Sequence, residues 1–96
     1  MELKEIKQLT KESLLKVEDV KEAYIDLIEQ IIKVAKSGSL NTLIHRENYD
    51  DFTFTLLLRV LTLDGYELKY FYTNDEEKDL RNVNMVNIYW GGNIVC

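Results

Sequence analysis

The first third of the chain has the hydrophobic spacing of an amphipathic helix. Between Leu14 and Ala35, apolar residues recur mostly at steps of three and four, and charged residues fill the positions between them. Thr10 is a favourable N-cap, and Gly38 can take the left-handed conformation that often ends a helix. The pattern therefore predicts one long N-terminal helix that begins near Lys11.

This predicted helix is longer than the three turns of an average globular helix. The pattern therefore allows a break near Glu18 and Asp19, and it leaves residues 1–9 as either a further helical turn or a loose arm. The apolar stripe is also wide enough to serve both a core and an interface between two copies of so short a chain. A homodimer is therefore one expectation.

The middle of the chain combines a strand with an ambiguous segment. Residues 40–45 form a short apolar and β-branched run, which predicts a strand. Residues 49–64 alternate like a strand at their start but follow helical spacing over most of their length. Because Asn48 can cap a helix and Gly65 can end one, we favour a helix. A strand here would instead give a four-stranded antiparallel sheet after the first helix.

Two aromatic strands are predicted in the last third. Residues 66–73 and 85–90 are rich in aromatic and β-branched side chains, and a polar connection, residues 74–82, separates them. The simplest pairing of the two strands is antiparallel. The sum is a single α+β domain over residues 1–96, a long N-terminal helix followed by β-α-β-β (αβαββ) with a small, mainly antiparallel sheet.

Alternation divides the first aromatic strand between two faces. Tyr70 and Tyr72 point the same way as Leu68, whereas Phe71 points the other way. The face with the two tyrosines is expected to be core, because two helices need a sheet face to cover them. If it were open, it would be an interface or a base-stacking platform.

Composition is that of a globular protein rather than a disordered or membrane-spanning one. The 96 residues are 46% hydrophobic and 30% charged, and they suit one core. The longest apolar run is the three leucines 56–58, far short of the roughly 20 residues of a membrane span. The single cysteine, Cys96, has no partner for an internal disulfide. We therefore expect a cytoplasmic protein without a membrane partner.

Charge narrows the class of partner. The formal net charge is −5, and the excess follows Gly38, where nine acidic residues stand against five basic ones. Binding to nucleic acid needs a basic face that releases counterions from phosphate. Direct nucleic-acid binding is therefore not expected, and mimicry of nucleic acid would need a denser carboxylate array.

The sequence offers little material for catalysis. His45 is the only histidine, so a metal site or a catalytic pair would have to be built with carboxylates such as Asp50 or Asp51. The glycine pair at 91–92 lacks the lysine and further glycines of a nucleotide-binding loop. We therefore expect a protein that is not an enzyme and that has no metal or cofactor.

Candidate partner-binding residues form two groups. Two clusters of carboxylates suit a basic partner, although a helix start and a solvated loop also favour acids. Aromatic side chains gather on the two strands that we expect to be neighbours. The carboxylates are Glu47, Asp50, Asp51, Asp75, Glu76 and Glu77, and the aromatic residues are Tyr70, Tyr72, Tyr89 and Trp90.

Three segments of the chain form one pattern: the helix end Ile31-Ile32-Lys33-Val34-Ala35-Lys36-Ser37-Gly38-Ser39-Leu40, the strand start Leu63-Asp64-Gly65-Tyr66-Glu67-Leu68 and the closing strand Asn87-Ile88-Tyr89-Trp90. Together they resemble small phage and prophage accessory proteins. The resemblance spans roughly residues 20–90 and implies an αβαββ domain. Some proteins of this kind block host defences, including anti-CRISPR proteins and binders of defence signalling nucleotides. The matching positions build the fold, so no functional residue is carried over.

These observations favour a non-enzymatic accessory protein of a phage or mobile element that binds and inhibits a host protein in the bacterial cytoplasm, for example an enzyme that handles nucleic acid. One alternative is a small-ligand binder, in which tyrosines stack on a signalling nucleotide and Arg46, Arg59 or Arg81 meets its phosphate. A structural homo-oligomer is the other.

Overall fold

The computed structural model describes residues 2–73 and 82–91. Their fold is α+β, with three helices and one small antiparallel sheet, as the sequence predicts. A short 3₁₀ turn, Arg46–Asn48, links the first strand to the third helix. The helices are α1 (Leu3–Leu14), α2 (Glu18–Lys36) and α3 (Asp51–Leu63), and the strands are β1 (Asn41–His45), β2 (Glu67–Tyr72) and β3 (Val83–Tyr89).

The N-terminal region is two helices rather than one. The prediction that a helix begins at Lys11 with Thr10 as its cap was wrong, because Thr10 lies inside α1 and its hydroxyl donates to the carbonyl of Ile6 at 3.1 Å. The chain breaks between α1 and α2, close to the place that the pattern allowed, and Val17 is extended there. Of the two alternatives for the first residues, the helical one holds from Leu3 onward.

Two glycines end helices in the same way. Gly38 after α2 and Gly65 after α3 both have φ of 95°, a conformation that only glycine adopts at little cost. In each case the next residue donates back to the last turn: Ser39 N–H to Val34 O at 3.3 Å, and Tyr66 N–H to Leu61 O at 3.2 Å. Both turns are Schellman motifs, and the chain continues from them into β1 and β2 respectively.

The ambiguous middle segment is a helix, as favoured. Its cap is Asp50 and not Asn48, since Asp50 accepts a hydrogen bond from the Thr53 backbone N–H at 2.7 Å. Asn48 ends the preceding 3₁₀ turn. The strand-like alternation at the start of α3 does not follow burial, because Phe54 and Leu56 are buried whereas Phe52 is 63% exposed.

The sheet has the order β1-β3-β2, and both pairings are antiparallel. The two aromatic strands β2 and β3 are neighbours, as predicted, with Leu68 opposite Ile88. A register shift between Phe71 and Tyr72 leaves an extra residue in β3. The predicted connection 74–82 lies, except for its last residue, outside the described residues.

The core lies between one face of the sheet and the helices α2 and α3. Alternate residues of the three strands point into it, and α3 contributes the largest share of buried side chains. The main cluster consists of Leu27 and Ile31 from α2, Phe54, Leu57, Leu58 and Leu61 from α3, and Ile44, Val83, Val86 and Ile88 from the sheet.

Candidate functional site

The face of the sheet opposite the core is not covered by any helix that the structure describes. The residues of β1 and β2 that point to this side are all exposed, whereas those of the central strand β3 are half-buried. We call it the open sheet face. The register arranges it in three rows: Asn41, Tyr89 and Glu67; Leu43, Asn87 and Lys69; and His45, Met85 and Phe71.

Apolar side chains occupy much of the open sheet face. Leu43 is 44% exposed and Phe71 is 37% exposed. On the central strand, Met85 lies beside Phe71, and Tyr89 lies in the first row between Asn41 and Glu67. Standard strand spacings give the three rows an area of roughly 250 Å². This area includes the polar side chains of the rows and is below the roughly 300–600 Å² of the largest apolar patch on a typical monomer. The missing helical cover, rather than the size of the patch, is what sets this face apart.

Polar groups are interspersed with these apolar side chains, and Asn87 is at the centre of the three rows. The Asn87 side-chain amide donates to the Tyr89 hydroxyl at 2.8 Å, and the Lys69 ammonium lies 5.6 Å from the ring centroid of Phe71. Within the described part of the chain, Asn87 Oδ1 is buried without a hydrogen-bond donor. Such an atom costs about 1–3 kcal/mol of stability.

The structure divides the four predicted aromatic site residues between the two faces. Tyr70 and Tyr72 point to the core side, where their ring centroids lie 6.4 Å apart, and Trp90 also packs against the core. Tyr89 lies on the open sheet face. Only one of the four therefore belongs to the uncovered surface, although Tyr70 is half-buried and reaches a groove described below.

The predicted carboxylates that the structure describes lie between β1 and α3. The pKa of Asp50 is lowered because its carboxylate accepts the Thr53 N–H, so this residue has a capping role. Asp51 accepts a 2.7 Å bond from the Arg46 guanidinium and stays 82% exposed. Glu47 is exposed in the 3₁₀ turn. The other cluster, Asp75, Glu76 and Glu77, lies outside the described residues.

A polar junction joins α1, α2 and α3. The Asp64 carboxylate accepts the Tyr24 hydroxyl at 2.6 Å and pairs with the Lys11 ammonium at 2.5 Å, which also lies 5.3 Å from the Tyr24 ring. The hydrogen bond to Asp64 raises the pKa of Lys11, and burial raises the pKa of Tyr24. The contacts of Asp64 join all three helices, so the junction acts as a structural anchor.

A groove of about 340 Å³ opens between α1, α3 and β2. We call it the α1–α3 groove. Its walls are Leu14, Leu58, Leu63 and the Tyr70 ring, and Arg59 stands among them. The groove and the open sheet face lie on different sides of the sheet, since Tyr70 and Phe71 point in opposite directions along β2.

Sequence reasoning missed parts of both surfaces. Neighbouring residues of a strand point to opposite faces. The sequence signal for the open sheet face is therefore a pair of apolar neighbours, such as Leu43 and Ile44 in β1. No comparable signal marks the α1–α3 groove, because its walls come from three separate elements. His45 lies exposed at the end of β1. Among the described residues there is no group of three or more histidine, cysteine or acidic side chains that could hold a metal ion.

Comparisons with known proteins return nothing: no family model, no curated protein and no solved structure matches this chain. Within residues 2–73 and 82–91, no helix has the length and apolar character needed to cross a membrane. The geometry of the open sheet face and of the α1–α3 groove therefore carries what can be inferred about function.

Proposed function

We propose that this chain is a non-enzymatic binding protein whose open sheet face docks on another protein and inhibits it. The observation that carries the proposal is the group of apolar side chains, with Leu43 and Phe71 most exposed, on a sheet face without a covering helix in the described chain. Exposed apolar area of this kind is costly in water unless a partner covers it.

The open sheet face alone is smaller than a stable interface. Its roughly 250 Å² compares with about 800 Å² per partner in a standard complex. The contact must therefore extend beyond the sheet. Strands β1 and β2 run in the same direction, so both end at the row of His45, Met85 and Phe71. The exposed carboxylates of Glu47 and Asp51 follow β1 at this end.

This arrangement fits a partner that presents an apolar patch beside basic side chains. Opposite charges speed the encounter and set its orientation, while the apolar side chains of the face supply most of the affinity. The net charge of −5 also attracts a basic partner. A basic groove of this type is typical of host enzymes that handle nucleic acid, which is the partner class that the sequence favours.

The test compares matched variants as bait in bacterial host lysate at low and moderate salt. Phe71→Glu and Leu43→Glu place a charge on the open sheet face, and Ile32→Glu is the control, because Ile32 is 49% exposed on α2. We expect wild type and Ile32→Glu to retain the same protein, and each sheet variant to bind it at least about tenfold more weakly. Circular dichroism and thermal unfolding verify that all variants fold.

Three outcomes would contradict the proposal. The partner could bind the sheet variants as well as wild type, Ile32→Glu could weaken binding equally, or wild type could retain no specific protein. Light scattering of the purified chain measures its oligomeric state as an additional test. A dimer that Phe71→Glu dissociates would assign the open sheet face to a second copy instead.

A further inference from the structure

The α1–α3 groove is apolar along its walls but is not closed. Leu58 is buried at its base, while Leu14, Leu63 and Tyr70 are half-buried beside it. Its volume of about 340 Å³ is at the lower end of the ~300–1,000 Å³ typical of small-molecule sites. A slender apolar molecule would fit better than a bulky one.

The threonines of the groove donate no hydrogen bonds into it. The hydroxyls of Thr10, Thr55 and Thr62 each donate to the carbonyl four residues earlier in their own helix, at 3.1, 2.8 and 2.9 Å. Their protons are therefore engaged, and these three residues contribute methyl groups and weak acceptors to the lining.

Two donors remain in the groove, the Arg59 guanidinium and the Tyr70 hydroxyl. Neither has a hydrogen-bond or ion-pair partner in the described ranges. Burial raises the pKa of Tyr70, so its hydroxyl keeps its proton at neutral pH. Although the chain is acidic overall, no carboxylate belongs to the described residues that line this groove. The local charge is therefore that of one arginine.

We infer that the α1–α3 groove binds a linear acyl carboxylate, with its alkyl chain along Leu14, Leu58 and Leu63 and its carboxylate on Arg59. Guanidinium and carboxylate match in geometry and form two parallel hydrogen bonds, and the Tyr70 hydroxyl supplies a third donor. The alkyl chain gains about 0.8 kcal/mol for each buried methylene.

A nucleotide or a peptide fits the same groove less well. A nucleotide carries several phosphate charges against one arginine, and its base needs donors and acceptors that the engaged threonines do not supply. A peptide buries backbone amides, which need partners in the groove. Both serve as competing ligands in the test.

The test measures binding of decanoate to the purified chain by calorimetry below the micelle concentration, with decanol, AMP and a short leucine-rich peptide as comparisons. We expect saturable one-to-one binding of decanoate, up to about fivefold tighter than decanol, since Arg59 is exposed and a solvent-screened ion pair is worth up to about 1 kcal/mol. Amide NMR shifts should change around Leu58 and Tyr70.

The matched variants are Arg59→Gln and Lys69→Gln, which remove the same charge from the groove and from the open sheet face respectively. Arg59→Gln should reduce decanoate binding to the level of decanol, and Lys69→Gln should leave it unchanged. Equal affinity for decanoate and decanol, equal binding by Arg59→Gln, NMR shifts outside the groove, or tighter binding of AMP or the peptide would each overturn the inference.

Discussion

Helices α1 and α3 are almost equal in length but differ in how much of each is buried. Of α1's 12 residues, all of them described, none is buried, whereas seven of the 13 residues of α3 are buried. α1 exposes Leu3, Ile6 and Leu9 in spite of its amphipathic spacing. α3 is apolar on most sides and lies against α1, α2 and the sheet.

The difference shows that amphipathic spacing does not by itself make a helix part of the core. α1 meets the rest of the chain near its C-terminal end, through Leu14 and the ion pair of Lys11 with Asp64. α3 carries the packing on which the sheet and α2 depend. Stability should therefore be concentrated in α3, and the apolar side of α1 is left for contacts.

The largest expected effect is from a cavity in α3. Leu57 is 0% exposed, so Leu57→Ala should lower the free energy of unfolding by about 2–5 kcal/mol. Leu9→Ala in α1, at a position 50% exposed, should change it by less than about 0.5 kcal/mol. Urea unfolding followed by circular dichroism measures both. A cost at Leu9 similar to that at Leu57 would mean that another surface covers α1 in solution.

A smaller effect is expected at the anchor of α1. Asp64→Ala removes both the Lys11 ion pair and the acceptor of the Tyr24 hydroxyl, and should cost about 1 kcal/mol, since surface ion pairs contribute little. Asp64→Asn keeps an acceptor for Tyr24 and should cost less. Hydrogen exchange should become faster in α1 and stay unchanged in α3.

The same anchor predicts a pH dependence. The pKa of Lys11 is raised above its ordinary 10.5, so the contribution of the ion pair is fully present below that pH and is lost as the pH rises through the folded pKa. The stability difference between wild type and Asp64→Asn should therefore shrink in strongly alkaline solution. If the stability difference between wild type and Asp64→Asn stayed constant in alkaline solution, its cause would not be the ion pair of Lys11.

The smallest effect is expected at the helix starts. Asp50→Ala removes the cap of α3 and should lower the Tm, whereas Glu2→Ala should not, because Glu2 makes no side-chain cap bond to a described residue at the start of α1. The pKa of Asp50 lies below its ordinary 3.8, so its contribution is present above that pH and is lost as the pH falls through the folded pKa.

Asp50→Asn is the control for this pH effect, because asparagine caps a helix without titrating. Thermal unfolding at a series of acid pH values should show the wild-type advantage over Asp50→Ala decrease, while that of Asp50→Asn persists. If the difference in Tm between wild type and Asp50→Ala stayed the same at acid pH, the capping carboxylate would not be its cause.

Local chemistry made much of the fold predictable. Gly38 and Gly65 end their helices as expected, and alternation correctly assigned Tyr70 and Tyr72 to the face opposite Phe71. The cap of α3 was misplaced by two residues, since Asn48 and Asp50 are equally good caps in a sequence. The start of α1 was missed because Thr10 has cap chemistry, although in the structure its hydroxyl donates to the Ile6 carbonyl inside the helix.

The candidate surfaces were less predictable, for a physical reason. Leu43 beside Ile44 indicates that β1 is apolar on both faces, but which of the two faces stays uncovered depends on where α2 and α3 pack, and the sequence does not show that. The α1–α3 groove depends on the angle between α1 and α2 at the break, and its donors Arg59 and Tyr70 are 11 positions apart in the chain.

The central position of β3 also bears on how the protein forms. β1 and β2 pair only with β3 in the described sheet, and β3 follows both of them in the chain. During synthesis the three helices can form while β1 and β2 still lack every inter-strand hydrogen bond. The sheet therefore assembles only after residues 83–89 have left the ribosome, and until then both strands expose backbone groups that can pair wrongly with other chains.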